Sequence, residues 1–380
     1  AHTLSVDSVV VVQSGRIGAD TNAAAFGILG AGAGVDVRRS VANANIGYGF
    51  VSIGAKVKLV NDTARTNTIG FAIFTDSGGS GASSTADSVA GNVASGNTTY
   101  PLQLDIRHLP GLYGNAFIGN AHDTLLVDGG TVTFTDTLPH FAGLPWRIRN
   151  PIQINSGAVL TIAAGDTVAF DSGAGIVVGE GSPAALDADG SSGRILLTAS
   201  GPVPQGWHGI DFHLMSGSGS TTNNVFRHVD VDRAGVIAPC FGECSPIHYG
   251  ALRFTDSIAP TTVDLSITDI IVRRSNAIAL DFQRGGAGTV SVAGSQFYDN
   301  KPDPMIRTRF GSGSQLSITG SDLYHYRGQV IQSAYQGGAA DSVDAVNNWW
   351  GDVRGADTSF LFQDSLGRAS TNRYAARVFP

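Results

Sequence analysis

In the stretch FRHVDVDRAG, which begins at Phe226, Asp230 and Asp232 stand two residues apart, so on a strand both carboxylates leave the same face. Arg227 and Arg233 bracket them, and Arg273 and Arg274 fall about one strand repeat further along the chain. Carboxylates gathered on one face can hold Ca2+ against an acidic sugar, with an arginine or lysine as the base. These six residues form a candidate acidic and basic patch. The plainer expectation is a solvated outer face whose Asp and Arg side chains pair across neighbouring strands, at about 0–1 kcal/mol for each pair. The third carboxylate that such a site wants is not evident in the sequence. Ca2+ therefore stays an option, and no other cofactor is expected.

Other residue sets carry weaker chemistry. Asp187-Ala-Asp-Gly opens like a calcium loop but lacks the closing bidentate Glu, so a plain Asp/Gly turn is expected. Cys240, Cys244 and His248 have the outline of a metal half-site, yet a structural zinc takes four ligands and no further Cys exists. A small disulfide between Cys240 and Cys244 is the favoured expectation, with free thiols next. His208, His213 and His228 can converge only through the fold. Tyr298, Tyr324 and Trp350 share one column of a repeat and form a candidate exposed ladder for stacking on glycan rings, whereas Trp349 is expected in the core. No Gly-x-Ser-x-Gly, Walker-type or Gly-x-Gly-x-x-Gly element sits between a strand and a helix, so hydrolase, nucleotide and dinucleotide roles have no support. No residue is assigned to catalysis or to a metal.

The elements that would position these residues are strands. The chain has 380 residues with 50 Gly, 29 Asp, 2 Glu and 3 Lys, a composition poor in helix formers and rich in turn and strand formers. A helical bundle and a doubly wound α/β enzyme are excluded. The formal net charge of −7 argues against a nucleic-acid partner. Repeats are the strongest signal. RGGAGTVSVAGSQFYDN from Arg284, FGSGSQLSITGSDLYHY from Phe310 and QGGAADSVDAVNNWWGD from Gln336 lie in register, which places Leu316, Ile318 and Leu323 over Val290, Val292 and Phe297. LSITDIIV from Leu265 repeats the same strand, and a shorter period relates Asn45 to Asn67. A unit this short cannot bury its apolar face alone, so successive units must stack as turns of a coil with parallel strands about 4.8 Å apart. Asn45 with Asn67, and Ser295 with Ser321, are expected to hydrogen-bond along the stack.

Three passages carry a family resemblance over residues 35 to 356. SGAVLTIAAGDTVAFDSGAGIVVG from Ser156, QGWHGIDF from Gln205 followed by FRHVDVDRAG, and VNNWWGDVRG from Val346 resemble rungs of the right-handed parallel β-helix, or pectin-lyase-like, superfamily. They are most similar to bacterial secreted and surface repeat proteins. The resemblance implies an all-β, right-handed, single-stranded parallel β-helix solenoid with corner loops, and the hand comes from the resemblance alone. The Asn-x-Asp, Asp-Asp, Gly-His-Gly and Arg-x-Lys elements of the superfamily's hydrolases are missing; Trp207-His208-Gly209 is the nearest approach.

The expected organisation is a solenoid over residues 1–355 and a C-terminal tail, 356–380, as a candidate cap. Corner loops are expected at 76–100 (Gly/Ser-rich), at 215–224 and, with the cysteines, at 236–248. LSVDSVVVV from Leu4 reads as a strand with no helix to cover the first rung, leaving backbone groups ready to pair with another chain. The leading functional expectation is a secreted or cell-surface structural or adhesive β-helix of bacterial origin. It would meet copies of itself or neighbouring domains through its end rungs, as a filament or as part of a larger surface protein. The alternative is a polysaccharide-binding or lyase-like β-helix acting on acidic glycans.

Overall fold

The computed structural model describes residues 3–13, 24–30, 34–74, 88–109, 111–180, 182–201, 206–213, 224–235, 237–238, 247–248, 250–255, 265–284, 288–300, 305–310, 314–324, 330–335, 342–351, 362–364 and 373–376. They form two compact units, one of residues 1–131 and 136–149, the other of residues 132–135 and 150–380. Both are parallel β-solenoids. Among the described residues no helix is long and apolar enough to cross a membrane.

In the first unit each turn of the coil supplies one strand to each of three parallel sheets. One sheet runs through Thr3–Asp7, Gly34–Arg38, Lys56–Val60, Ser88–Ala90 and Leu112–Tyr113. The second runs from Val10–Val12 to Ala116–Ile118, and the third from Ala24–Leu29 towards Trp146–Ile148. Alternation puts every second side chain inward, so Val37, Leu59 and Val89 stack in one buried column. Phe26, Phe50 and Phe71 stack face to face with centroids 4.6 and 5.0 Å apart. The only helical element described is the 3-10 turn Ile106–His108, where the Asp105 side chain caps the Arg107 amide.

The corners are polar and buried. Asn45, Asn67, Asn97 and Asn120 form a ladder in which the side-chain oxygens of Asn67, Asn97 and Asn120 each accept from the backbone amide and side-chain nitrogen of the rung before. Each amide nitrogen of Asn67, Asn97 and Asn120 also donates back to a strand carbonyl, on Ala42, Ala64 and Ala94 respectively. The residue before each of these asparagines is left-handed: Ala44, Thr66, Gly96 and Gly119. A non-glycine side chain there costs about 1–2 kcal/mol, so Ala44 and Thr66 are held by the hydrogen bonds that follow them. The expected Asn45–Asn67 contact is thus part of a longer rail.

The expectation of a loop over 76–100 is corrected for its second half. Residues 76–87 lie outside the described residues, but Ser88–Ala90 and Val93–Ser95 are strands, and Asn92 and Asn97 are buried. A rung whose buried positions are Val89, Ala90, Ala94 and two asparagines has too few large apolar residues to look like core. The ladder supplies what the apolar side chains do not.

In the second unit the sheet that carries the candidate patch contains Thr167–Phe170, Ile195–Ala199, Val229–Asp232, Ile271–Arg273, Gln296–Tyr298 and Asp322–Tyr324. A second sheet includes Ile176–Val178, Ile210–His213, Leu252–Thr255, Leu280–Arg284 and Ile306–Phe310. Phe212, Phe254 and Phe282 stack in its interior at 5.3 and 4.7 Å. Trp207 of the Trp-His-Gly passage is fully buried, stacks on Phe170 at 4.2 Å and donates its indole N–H to the Asp232 carbonyl at 3.0 Å.

The C-terminal register is as the repeats require: Val290 pairs with Leu316, Val292 with Ile318, and Phe297 with Leu323. The Ser295 amide donates to the Ser321 hydroxyl at 3.1 Å. In the tail, Phe362–Asp364 and Arg373–Ala376 are parallel strands that each add to a sheet. Ile237–Ala238 and Ile247–His248 pair antiparallel. Cys240, Cys244 and residues 214–223 lie outside the described residues, so the expected disulfide falls there too.

Candidate functional site

Asp230 and Asp232 leave the same face of Val229–Asp232, and Arg273 stands in register with Asp232 one rung on. Asp232 is the hub. Its side chain is only 4% exposed and accepts from Arg274 Nε at 2.6 Å, Thr198 Oγ1 at 2.9 Å and Arg233 Nε at 3.1 Å. Burial alone would raise its carboxyl, but hydrogen bonds from Arg274 and Thr198 outweigh that and hold it below the ordinary value. Arg233 and Arg274 reach it because both occupy the left-handed position that ends a strand. Arg233 is further fixed by the carbonyls of Ala199 and Gly201, each at 2.9 Å.

The other end of the patch is built the same way. His228 and Asp269 take the left-handed position that ends Val225–Arg227 and Leu265–Thr268, and their side chains hydrogen-bond to each other. Arg194 joins the two carboxylates: its Nε pairs with Asp230 and its Nη1 with Asp269 at 3.2 Å. Arg273 lies between Asp230 at 3.5 Å and Asp232 at 3.7 Å, and donates to the Tyr298 hydroxyl at 3.3 Å. Arg194, His228 and Asp269 are members that sequence reading missed. No common spacing marks them: His228 and Asp269 are the left-handed residues that follow Val225–Arg227 and Leu265–Thr268, whereas Arg194 directly precedes Ile195–Ala199.

Arg227 does not belong to this cluster. It sits on Val225–Arg227 in another sheet and pairs with Asp189, whose carboxyl is held well below its ordinary value by Arg227 and Ser191. Asp189 also accepts from the Ser191 amide at 3.0 Å, the Asp/Gly turn expected there. Each carboxylate of the patch is turned towards arginine. Burial would lower the Arg273 guanidinium, but Tyr298, Asp230 and Asp232 push it above its ordinary value, the wrong direction for a general base. Among the described residues no group of three or more His, Cys, Asp or Glu could hold a metal ion.

The aromatic ladder differs from expectation in one member. Tyr298 and Tyr324 stack at 4.9 Å with an 11° tilt, but Trp350 is fully buried and Trp349 packs against Tyr324 at 5.5 Å. Trp349 is partly exposed. The cause is one extra residue: Asp322 bridges Trp349, and Asn347 is left-handed beside a register shift. A slip of one residue exchanges the two faces of a strand. The facing tyrosine rings cover each other, and Tyr324 also meets Trp349, whereas sugar stacking uses open ring faces.

On the second sheet of this unit lies a cleft of about 350 Å3, within the size range of ligand sites. His208, Asp211, His213, Glu180, Gln153 and Arg253 line it. Asp211 accepts from Arg253 at 2.9 Å and Thr255 at 3.2 Å, with His213 at 3.4 Å. Gln153 donates to Glu180 at 3.0 Å. Burial pushes the His208 imidazole below its ordinary value, favouring the neutral ring that can both donate and accept. Gly209 is left-handed, and a Cβ there would meet the Ala251 carbonyl oxygen at 2.5 Å, so only glycine lets the rungs approach here. His208 and His213, separate in the sequence reading, are brought to one cleft, while His228 belongs to the arginine cluster. No family model, curated protein or solved structure matches this chain.

Proposed function

We propose that the protein is a secreted or cell-surface structural β-solenoid, of the right-handed pectin-lyase-like kind and bacterial, that extends its coil by end-to-end contact with a copy of itself. The observation that supports this most is the first rung. Leu4 is 62% exposed, although its register partner Val35 is buried in the core column. Val6 and Val11 are part-exposed beside it, although their register partners Val37 and Ala42 are buried. Among the described residues these strands pair on one side only, so the rung offers both an apolar surface and a free row of backbone donors and acceptors. The pairing of Asp with Arg throughout the candidate patch fits a scaffold better than a catalyst. Electron microscopy of the purified chain across a concentration series tests the reading. Rods joined end to end are expected, and Leu4→Lys with Val11→Lys should return single particles. Single particles of the unsubstituted chain at every concentration would overturn it.

The cleft supports a second reading, glycan binding by hydrogen bonds to hydroxyl groups. Its neutral imidazole, two carboxylates, amide and guanidinium offer donors and acceptors around one small volume. Titration of oligosaccharides by calorimetry should show binding that Asp211→Asn weakens at least tenfold, roughly the worth of one hydrogen bond to a charged group. No heat from a panel of neutral and acidic oligosaccharides counts against it.

A further inference from the structure

A second ladder lies at another corner of the first unit's coil, through Ser40, Asp62, Asn92 and Asn115. The Ser40 amide donates to Asp62 Oδ1 at 2.8 Å, the Asp62 amide to Asn92 Oδ1 at 2.8 Å, and the Asn92 amide to Asn115 Oδ1 at 3.0 Å. The asparagines also use their nitrogens in a fixed pattern. Asn92 Nδ2 donates to the Leu59 carbonyl at 2.8 Å, and Asn115 Nδ2 to the Val89 carbonyl at 2.7 Å. In each case the acceptor lies three residues before the ladder residue of the preceding rung. Asn67, Asn97 and Asn120 obey the same rule in the other ladder.

Asp62 breaks the pattern in one atom. It is 0% exposed, and its Oδ1 does what every ladder oxygen does. Its Oδ2 stands where the others carry an NH2 group, and it has no hydrogen-bond partner. By the rule, the acceptor one rung back is the Val37 carbonyl. An ionised carboxylate can only accept, so two acceptors would confront each other in a buried corner. A carboxylic acid has the hydrogen that asparagine supplies elsewhere.

We propose that Asp62 is carried in the ladder as a neutral carboxylic acid whose hydroxyl donates to the Val37 carbonyl, and that its ionisation loosens the surrounding rungs, making this part of the coil an acid-stabilised latch. The electrostatic setting agrees. Burial pushes the Asp62 carboxyl up to about 7, against the lowering effect of the Ser40 and Val60 amides, and the Asp36 and Asp7 charges push the same way as burial. Among the described residues the charged groups that act on it are Asp7, Asp36 and Arg38, of which Arg38 is taken by Asp36 at 2.8 Å and Asp7 by Arg39.

The sign follows from the folded state binding the proton more tightly than the unfolded chain. The stabilisation is complete below about pH 4, falls by up to about tenfold in the folding equilibrium per pH unit, and is gone above about pH 7. The test is hydrogen exchange on the full chain, followed by mass spectrometry of peptides covering residues 35–65 and corrected for intrinsic exchange. Between pH 5 and pH 8 the opening equilibrium of these rungs should rise at least tenfold, and in Asp62→Asn it should stay flat with higher protection at pH 8. An equal rise in both proteins, or no rise in the unsubstituted one, would falsify the proposal. An Asp62→Asn chain that fails to fold would overturn it as well, because asparagine satisfies the same geometry at every neighbouring ladder position.

Discussion

Asp281→Ala is expected to destabilise the second unit by about 3–5 kcal/mol, read as a loss of denaturation midpoint at unchanged slope. Asp281 is fully buried and takes a two-pronged contact from Arg307, at 2.9 and 2.7 Å, with Gln283 donating at 2.9 Å. The Arg307 side chain is only 15% exposed, so removing the carboxylate leaves a cation short of both its partner and its water. The cost comes from the stranded charge more than from the lost attraction. The double substitution Asp281→Leu with Arg307→Met should therefore recover most of the loss. A single variant within about 1 kcal/mol of the parent would show that water reaches Arg307 and that the pair behaves as a surface pair.

The second large effect is expected from Asn97→Ala in the first unit, at about 2–4 kcal/mol from the buried groups it strands. Asn97 Oδ1 accepts from Asn67 at backbone and side chain, at 3.0 and 3.3 Å. Its nitrogen donates to Asn120 at 2.8 Å and to the Ala64 carbonyl at 3.2 Å. Alanine leaves the buried Asn67 backbone amide unpaired and removes one of the donors to the Ala64 carbonyl. Native-state hydrogen exchange should lose protection first at Asn67 and Thr68 and progressively less with distance, as in a stack held by nearest neighbours. Uniform loss over the whole unit would instead mean that it unfolds as one block.

The same ladder explains what the sequence made legible and what it hid. Equal spacing was readable where rungs keep equal length: Leu316 over Val290 and Ile318 over Val292 follow from it directly. The rung at 88–100 was missed because its buried positions are asparagine and alanine, which resemble a loop when core is sought as large apolar residues. Trp349 and Trp350 were exchanged because a single left-handed residue, Asn347, lengthens one corner by one position. Among the site residues, Asp230, Asp232, Arg233, Arg273 and Arg274 were found because they share one strand or its neighbour. Arg227 was drawn in wrongly, since closeness in sequence spans a corner and puts it on a different sheet. The outward column Asp211, Arg253, Asp281 and Arg307 alternates in charge across four rungs, yet corner segments of unequal length separate its members and no constant period reveals it.

The ladders also give the coil a direction. In the Asn45–Asn120 rail every side-chain oxygen points to the rung before it and every forward donor to the rung after it, so the amide dipoles add rather than cancel. A stack with that polarity can be lengthened without a break only by a unit arriving in the same orientation. Two first rungs meeting head to head would set these dipoles against each other, whereas a head-to-tail neighbour continues them. Repeated head-to-tail contacts do not close on themselves unless they bend into a ring. Anything that grows from this end is thereby biased towards a polar fibre with two distinguishable tips, one adding rungs and one receiving them.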